Sequence, residues 1–238
     1  MFSIEIPKLV RSIESQALGG CYLLRNVAIS PDAVIEEGSL PYQLQKILGL
    51  DSDIIKDALK HRFDGLPIHK ILYYQSHQSL SLDNFNDAMR LNPSGNKQDC
   101  LGMTALHVAC CTNIEELDMY NAIIANCTAN LITEDRWGAL PLLYALWANA
   151  RIEVVQLLLE NYRSHFPGHK FDWSKMVETL VMAKAPREGI QNLLEGRRAH
   201  FPRQKIGWRK LLSKLAGDAS TVSSETFRML MTSRISEI

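Results

Sequence analysis

Internal repetition constrains this chain more than any other feature. The stretch DCLGMTALHVAC (99–110) becomes DRWGALPLLYAL (135–146) after a shift of 36, with Asp99 on Asp135, Gly102 on Gly138, Leu106 on Leu142 and Ala109 on Ala145. Upstream, GLPIHKI (65–71) sets Pro67, Ile68 and His69 on Ala105, Leu106 and His107 at an offset of 38. Downstream, HFPGHKFDWSKMV (165–177) matches HFPRQKIGWRKLL (200–212) at an offset of 35, so Trp137, Trp173 and Trp208 stand 36 and 35 residues apart. Periods of this length mark stacked supersecondary units, none of which buries its apolar face alone.

Each unit has the same physical content. A Gly in a short turn permits positive φ without penalty. A small polar residue or Pro then starts a short helix, as Thr104 does. A longer helix follows after a break. In IEVVQLLLENY (152–162) the residues Ile152, Val155, Leu158, Leu159 and Tyr162 fall at steps of three and four, one helical stripe.

At these residues the chain resembles a known family. Gly102-Met103-Thr104-Ala105-Leu106-His107-Val108-Ala109 is similar to the ankyrin-repeat signature G-x-T-P-L-H-x-A, with Ala105 in place of Pro. Gly65-Leu66-Pro67-Ile68-His69 and Gly138-Ala139-Leu140-Pro141-Leu142 resemble weaker copies, Leu140 replacing Thr and Leu143 replacing His. The resemblance is clearest over 63–164, and the period carries it to 238. It implies a mostly α, ankyrin-like helical-repeat solenoid over 41–238, with repeats at about 63–98, 99–134, 135–170, 171–205 and 206–238. It also implies structural roles for Gly65, Pro67, His69, Gly102, Thr104, His107, Gly138 and Pro141. The imidazoles of His69 and His107 would tie turn to helix and to the neighbouring repeat.

Residues 1–40 read differently. Ile4, Ile6, Pro7 and Val10 recur 23 residues on as Val27, Ile29, Ser30 and Ala33, and the alternating apolar triplets predict strands at 4–6 and 27–29. The spacing of Ile13, Ala17, Cys21, Leu24, Val27 and Ile29 resembles a leucine-rich repeat of the bacterial-surface-antigen type, about one and a half repeats long. This short leucine-rich β segment reads as a cap on the helical array or as the end of a longer leucine-rich array, the second slightly favoured because the chain opens mid-repeat. The combination is similar to a family of algal repeat proteins. Helices are expected over 42–49 and 53–62, the second capped by Asp51 or Ser52, and a loop over 91–99.

Charge narrows the function. Lys plus Arg and Asp plus Glu are 26 each, a balance that argues against whole-protein nucleic-acid binding. The charge is uneven: 13 basic against 7 acidic side chains in 164–238, with seven Lys or Arg and no acid between positions 197 and 214. A solvated helical face is the simplest reading of that run. The five cysteines do not make a secreted disulfide framework, and Cys100, Cys110, Cys111 and Cys127 lack the paired spacing of a zinc site. They read as buried thiols. No signal-peptide pattern, membrane-length apolar run, phosphate loop, nucleophile elbow or zincin motif occurs. The expected location is intracellular and cytoplasmic, with the nucleus left open, without cofactor or metal and without a sign of oligomerisation.

The family resemblance therefore implies a non-catalytic protein–protein interaction scaffold, binding a protein partner through its concave face and turn tips. The tips are 98–103, 134–139 and 170–174, with Leu101, Met103, Arg136, Trp137, Ala139, Phe171 and Trp173 as candidate binding residues. A rival reading packs Trp137 against Leu101, for stability alone. Two functional alternatives stand beside the scaffold. One is a membrane-surface or calmodulin-binding segment at 197–217, whose helix carries Trp208, Leu211, Leu212 and Leu215 on one face. The other is an enzyme with a loop-built site, which needs a cleft around His69, His107 and Asp64.

Overall fold

In the computed structural model, three left-handed backbone positions mark the period. The structure describes residues 3–6, 10–18, 21, 24–42, 44, 46, 52–74, 82–91, 96–217 and 222–236. Asn113 (φ 53°), Asn149 (φ 55°) and Lys184 (φ 53°) each end the first helix of a pair. The next N–H then reaches back to the same carbonyl of that helix: Ile114 to Ala109 at 3.5 Å, Ala150 to Ala145 at 2.9 Å and Ala185 to Leu180 at 2.9 Å. This is one helix stop used three times. Asn adopts the left-handed region at less cost than Lys. The chain divides into two compact units, 1–141 and 142–238.

The first unit opens with two parallel strand pairs. Strand β1 (Ser3–Glu5) pairs with β3 (Asn26–Ala28), Ile4 opposite Val27. Strand β2 (Ser12–Ile13) pairs with β4 (Val34–Ile35). The register of β1 with β3 is the 23-residue offset of the sequence, so the chain returns beside itself after one coil. Of the apolar pattern, Ile13, Leu24, Val27 and Ile29 are buried and Cys21 is half-buried, but Ala17 is exposed; positions 19, 20, 22 and 23 lie outside the described residues. On the inner side of β3, Ala28 N–H donates to the Tyr73 hydroxyl (2.9 Å) and Ile29 N–H to the Leu59 carbonyl (3.3 Å).

Helices follow: α1 (Ser52–Lys60), α2 (Pro67–Tyr74), α3 (Leu82–Leu91), α4 (Ala105–Thr112), α5 (Leu117–Asn126) and a 3-10 turn at Thr128–Leu131. Helix α2 packs on α4 and α3 on α5. The expected helix over 42–49 is helical at 42, 44 and 46; its remaining positions and Asp51 lie outside the described residues. So do 92–95 of the expected loop, which ends at a buried Asp99.

The second unit holds most of α6 (Pro141–Trp147), then α7 (Ile152–His165), α8 (Trp173–Met182), α9 (Arg187–His200), α10 (Trp208–Gly217) and α11 (Ser224–Ile235). Helices α7 and α9 have 14 residues each and begin 35 apart; α8 and α10 have 10 each, also 35 apart. The stripe of α7 is buried at Val155, Leu158, Leu159 and Tyr162, while Ile152 at its first turn is 40% exposed. Gly189 lets α9 approach α6: a Cβ there would lie 2.5 Å from the Leu146 carbonyl oxygen. Among the described residues no helix is long and apolar enough to cross a membrane.

Candidate interaction surface at the repeat turns

The two turns of the first unit are built around a carboxylate. Asp99 Oδ1 accepts the N–H groups of Leu101 and Met103, both at 2.9 Å, and Asp135 Oδ1 accepts those of Trp137 (2.9 Å) and Ala139 (2.8 Å). Each turn is closed by a backbone bond, Asp99 N to Met103 O (2.9 Å) and Asp135 N to Ala139 O (3.0 Å). Gly102 (φ 76°) and Gly138 (φ 68°) supply the left-handed residue. At Gly102 space adds a second reason, since a Cβ would come within 2.9 Å of Arg136 N. The turns are also joined to each other: Arg136 N donates to Leu101 O (3.2 Å) and Arg136 Nε to Cys100 O (2.7 Å).

Histidine ties each helix to the next turn. His107 Nδ1 accepts from the backbone N–H of Thr104 (3.1 Å) and lies 2.9 Å from its hydroxyl. Its Nε2–H donates to the Ala139 carbonyl (3.1 Å). That arrangement satisfies the neutral ring completely, and burial pushes the His107 pKa down. His69 Nε2–H donates to Met103 O (3.2 Å), and burial lowers its pKa to about 4. Pro67 and Pro141 begin their helices, where a missing N–H loses nothing.

The first turn differs from the second by a buried ion pair. Arg62 Nε and Nη2 both lie 2.7 Å from Asp99 Oδ2, with both side chains fully buried. Arg62 Nη1 donates to the Val27 carbonyl of β3 (2.9 Å). Burial opposes the charge on Arg62, but the Asp99 carboxylate beside it outweighs that and its pKa is raised. The guanidinium also lies over Phe63, 4.7 Å from the ring centre. One side chain thus joins the strand coil, the end of α1 and the Asp99 turn.

In the second unit the turns use an amide and a cluster of rings. Gln204 Oε1 accepts from Phe171 N (3.1 Å) and Trp173 Nε1 (2.7 Å), and its Nε2 donates to His169 O (2.7 Å). Phe171 contacts Tyr162, Trp173 and Phe201 with ring centres 4.9–5.4 Å apart. Arg197 is buried and its Nη1 donates to Gln204 O (2.7 Å), so the basic run at 197–214 is not wholly a solvated face.

Five of the seven expected binding residues are buried. Leu101, Met103 and Ala139 are buried because the turns curl around Asp99 and Asp135, and Phe171 and Trp173 because they belong to the ring cluster. Arg136 is exposed and Trp137 half-buried, with the Arg25 guanidinium 5.5 Å from the Trp137 ring centre. The in-phase tryptophans are not structural equivalents. Trp173 and Trp208 are the first residues of α8 and α10 and are buried, whereas Trp137 lies in the turn four residues before Pro141. The first helices do not have an exposed side in this region either: positions 105–111 and 141–147 are all buried.

Trp208, Leu211, Leu212 and Leu215 are buried as well, so the apolar face that membrane or calmodulin contact requires is already covered. His69 and His107 are buried, whereas the exposed carboxylate of Asp64 meets His61 Nδ1 at 2.8 Å. Cys110 and Cys111 are buried, with the Cys111 thiol pKa raised by burial; Cys100 and Cys127 are half-buried, and burial lifts Cys100 to about 11. Among the described residues no group of three or more His, Cys, Asp or Glu could hold a metal ion. Sequence reasoning aligned Asp99 with Asp135 without giving either a role. The signal was there, an Asp two residues before a turn residue whose N–H it accepts. Arg62 and Gln204 carried no such local mark.

Comparison with known proteins adds one match. Residues 68–167 match the family model for ankyrin repeats (3 copies). No curated protein and no solved structure matches the chain. The match spans the helix α2 and the two carboxylate turns, and the fold as a whole is that of an ankyrin-like helical repeat with a small N-terminal strand segment. Ankyrin repeats generally mediate protein–protein interaction and are typically non-catalytic.

Proposed function

We propose that this chain is a non-catalytic protein-interaction scaffold that engages a protein partner through the turn at 134–139, with Arg136 and Trp137 as contact residues. The observation that carries the reading is a contrast within one turn. Its inner groups, Asp135, Ala139 and His107, are bonded to one another, while Arg136 is exposed and Trp137 beside it is half-buried. Trp and Arg are the side chains most enriched among interface hot spots. The 23-residue parallel register supports reading 1–40 as a partial leucine-rich repeat in front of the array, and the recurring left-handed stops support the repeat boundaries near 99, 135 and 171. A cytoplasmic setting belongs to the same reading.

The test is site-specific photo-crosslinking in the native cell. A crosslinker at position 136 should capture a discrete protein that the same group at the exposed Glu160 does not. Trp137→Ala should weaken that capture, by about 2 kcal/mol or more in affinity, with melting temperature unchanged. Identical capture at both positions, or a Trp137→Ala variant that melts earlier and still crosslinks, sinks the proposal.

A further inference from the structure

We propose that the repeated His-Phe-Pro turns of the second unit form a second docking groove, and that its occupant is an Asp/Glu-rich peptide segment of a protein partner. The proposal rests on the interaction reading above, but it concerns a different surface and names the chemistry of what binds there. A groove of about 370 Å³ lies between the two turns, lined by Arg163, Pro167, His200, Phe201, Pro202 and Arg203 among others. No carboxylate lines it. Arg163 and Arg203 are exposed and have no acidic partner among the described residues. Lys170, Lys205, Arg209 and Lys210 are also exposed on these turns or on the helix starts just after them. The sole acid among positions 163–175 and 198–210 is Asp172, which caps α8 by accepting Lys175 N (2.9 Å).

Helix electrostatics explain only part of this charge. Arg163, and likewise Arg197 and Arg198, occupy last turns, where cations complement the carbonyl end of the dipole. Lys175, Arg209 and Lys210 occupy first turns, which hold no acidic residue in either α8 or α10. Cations there oppose the dipole and lower the stability of the fold. Charge kept against local preference is the pattern expected of a recognition surface. The setting sharpens it: residues 142–238 carry 15 basic and 9 acidic side chains, while 1–141 carry 11 and 17.

A peptide fits better than the other polyanions. Single-stranded nucleic acid is held on exposed aromatic platforms, and here Phe171, Trp173, Phe201 and Trp208 are buried. An anionic membrane needs an apolar anchor beside the charge, and the apolar stripe of α10 faces inward. The groove instead offers two guanidinium groups flanking two prolines, a space of side-chain size in which Arg can take a carboxylate in bidentate fashion.

The experiment is fluorescence anisotropy on the full chain with a short labelled Asp/Glu-rich peptide. Saturable, salt-sensitive binding is expected, absent for the same peptide with Asn and Gln in place of the acids. Arg163→Ala with Arg203→Ala should weaken it at least about tenfold. Arg228→Ala with Arg234→Ala removes equal charge elsewhere in the unit and should change it less than about twofold, all variants keeping the parent melting temperature. Equal loss in the two double variants reduces the effect to net charge and overturns the groove. So does no binding, or tighter binding of a single-stranded oligonucleotide or of phosphatidylserine-containing vesicles. Loss of the crosslink at position 136 with peptide binding intact would remove the first surface alone, and the reverse result this one alone.

Discussion

In the first unit a turn is closed by the carboxylate of Asp99 or Asp135 and tied onward by the imidazole of His69 or His107. In the second, the turns are held by the amide of Gln204 and by the rings of Tyr162, Phe171, Trp173 and Phe201. Both arrangements satisfy the backbone groups that a tight turn leaves unpaired, which is an obligation for any buried turn. They differ in what they respond to. Carboxylates and imidazoles titrate in the acid range; amides and aromatic rings do not. They differ also in legibility, because the carboxylate bonds of the first join residues two and four apart, whereas the amide bonds of the second join residues more than 30 apart.

The contrast yields tests of graded size. The largest effect is expected at the buried ion pair. Asp99→Ala leaves Arg62 charged and buried without its partner and should lower stability by about 3–5 kcal/mol, read by chemical denaturation. Asp135→Ala removes the same two turn bonds without stranding Arg62, and should lose about 1–3 kcal/mol. Equal losses would mean that the ion pair adds nothing to the first turn.

Acid should then separate the units. His69 takes up a second ring proton only below about pH 4 in the fold, against an ordinary value of 6.5, and His107 shifts in the same direction. Well above pH 6.5 the rings are neutral in both states and stability is unaffected. As pH falls from 6.5 towards 4 the unfolded chain gains protons that the fold refuses, so stability declines. For His69 the full loss is about 3 kcal/mol. Hydrogen exchange, corrected for intrinsic rates, should show α2 and α4 losing protection between pH 7 and 4.5 while α8 and α10 keep it. Equal loss throughout would break the comparison.

Gln204→Ala is the mirror experiment. It leaves the buried Trp173 indole N–H without its acceptor and should cost about 2 kcal/mol in the second unit. Trp173 emission is the local readout, and the loss should be the same at pH 7 and pH 5. The smallest effect lies at the helix stop shared by both units. Lys184 adopts the conformation that Asn113 and Asn149 adopt, so Lys184→Asn should stabilise by about 1 kcal/mol or less, seen as a small rise in melting temperature. A fall would show that Lys184 makes a contact that outweighs its strain.

The sequence alone determined the repeat period, the short helices opening at Pro67, Pro141 and after Thr104, the stripe of α7 from Val155 to Tyr162 and the 23-residue recurrence of the strands. These depend on neighbours within one or two turns of chain, or on recurrence, and both are written in residue order. The tertiary structure decided exposure. Leu101, Met103, Phe171 and Trp173 look like tip residues by position and are buried, because a carboxylate draws one turn inward and Gln204 with a ring cluster closes over the other. It also decided that Arg62 reaches Asp99 and Val27, partners 37 and 35 residues away. A buried charge is tolerated only where such distant groups converge on it, and no local pattern in the chain encodes that convergence.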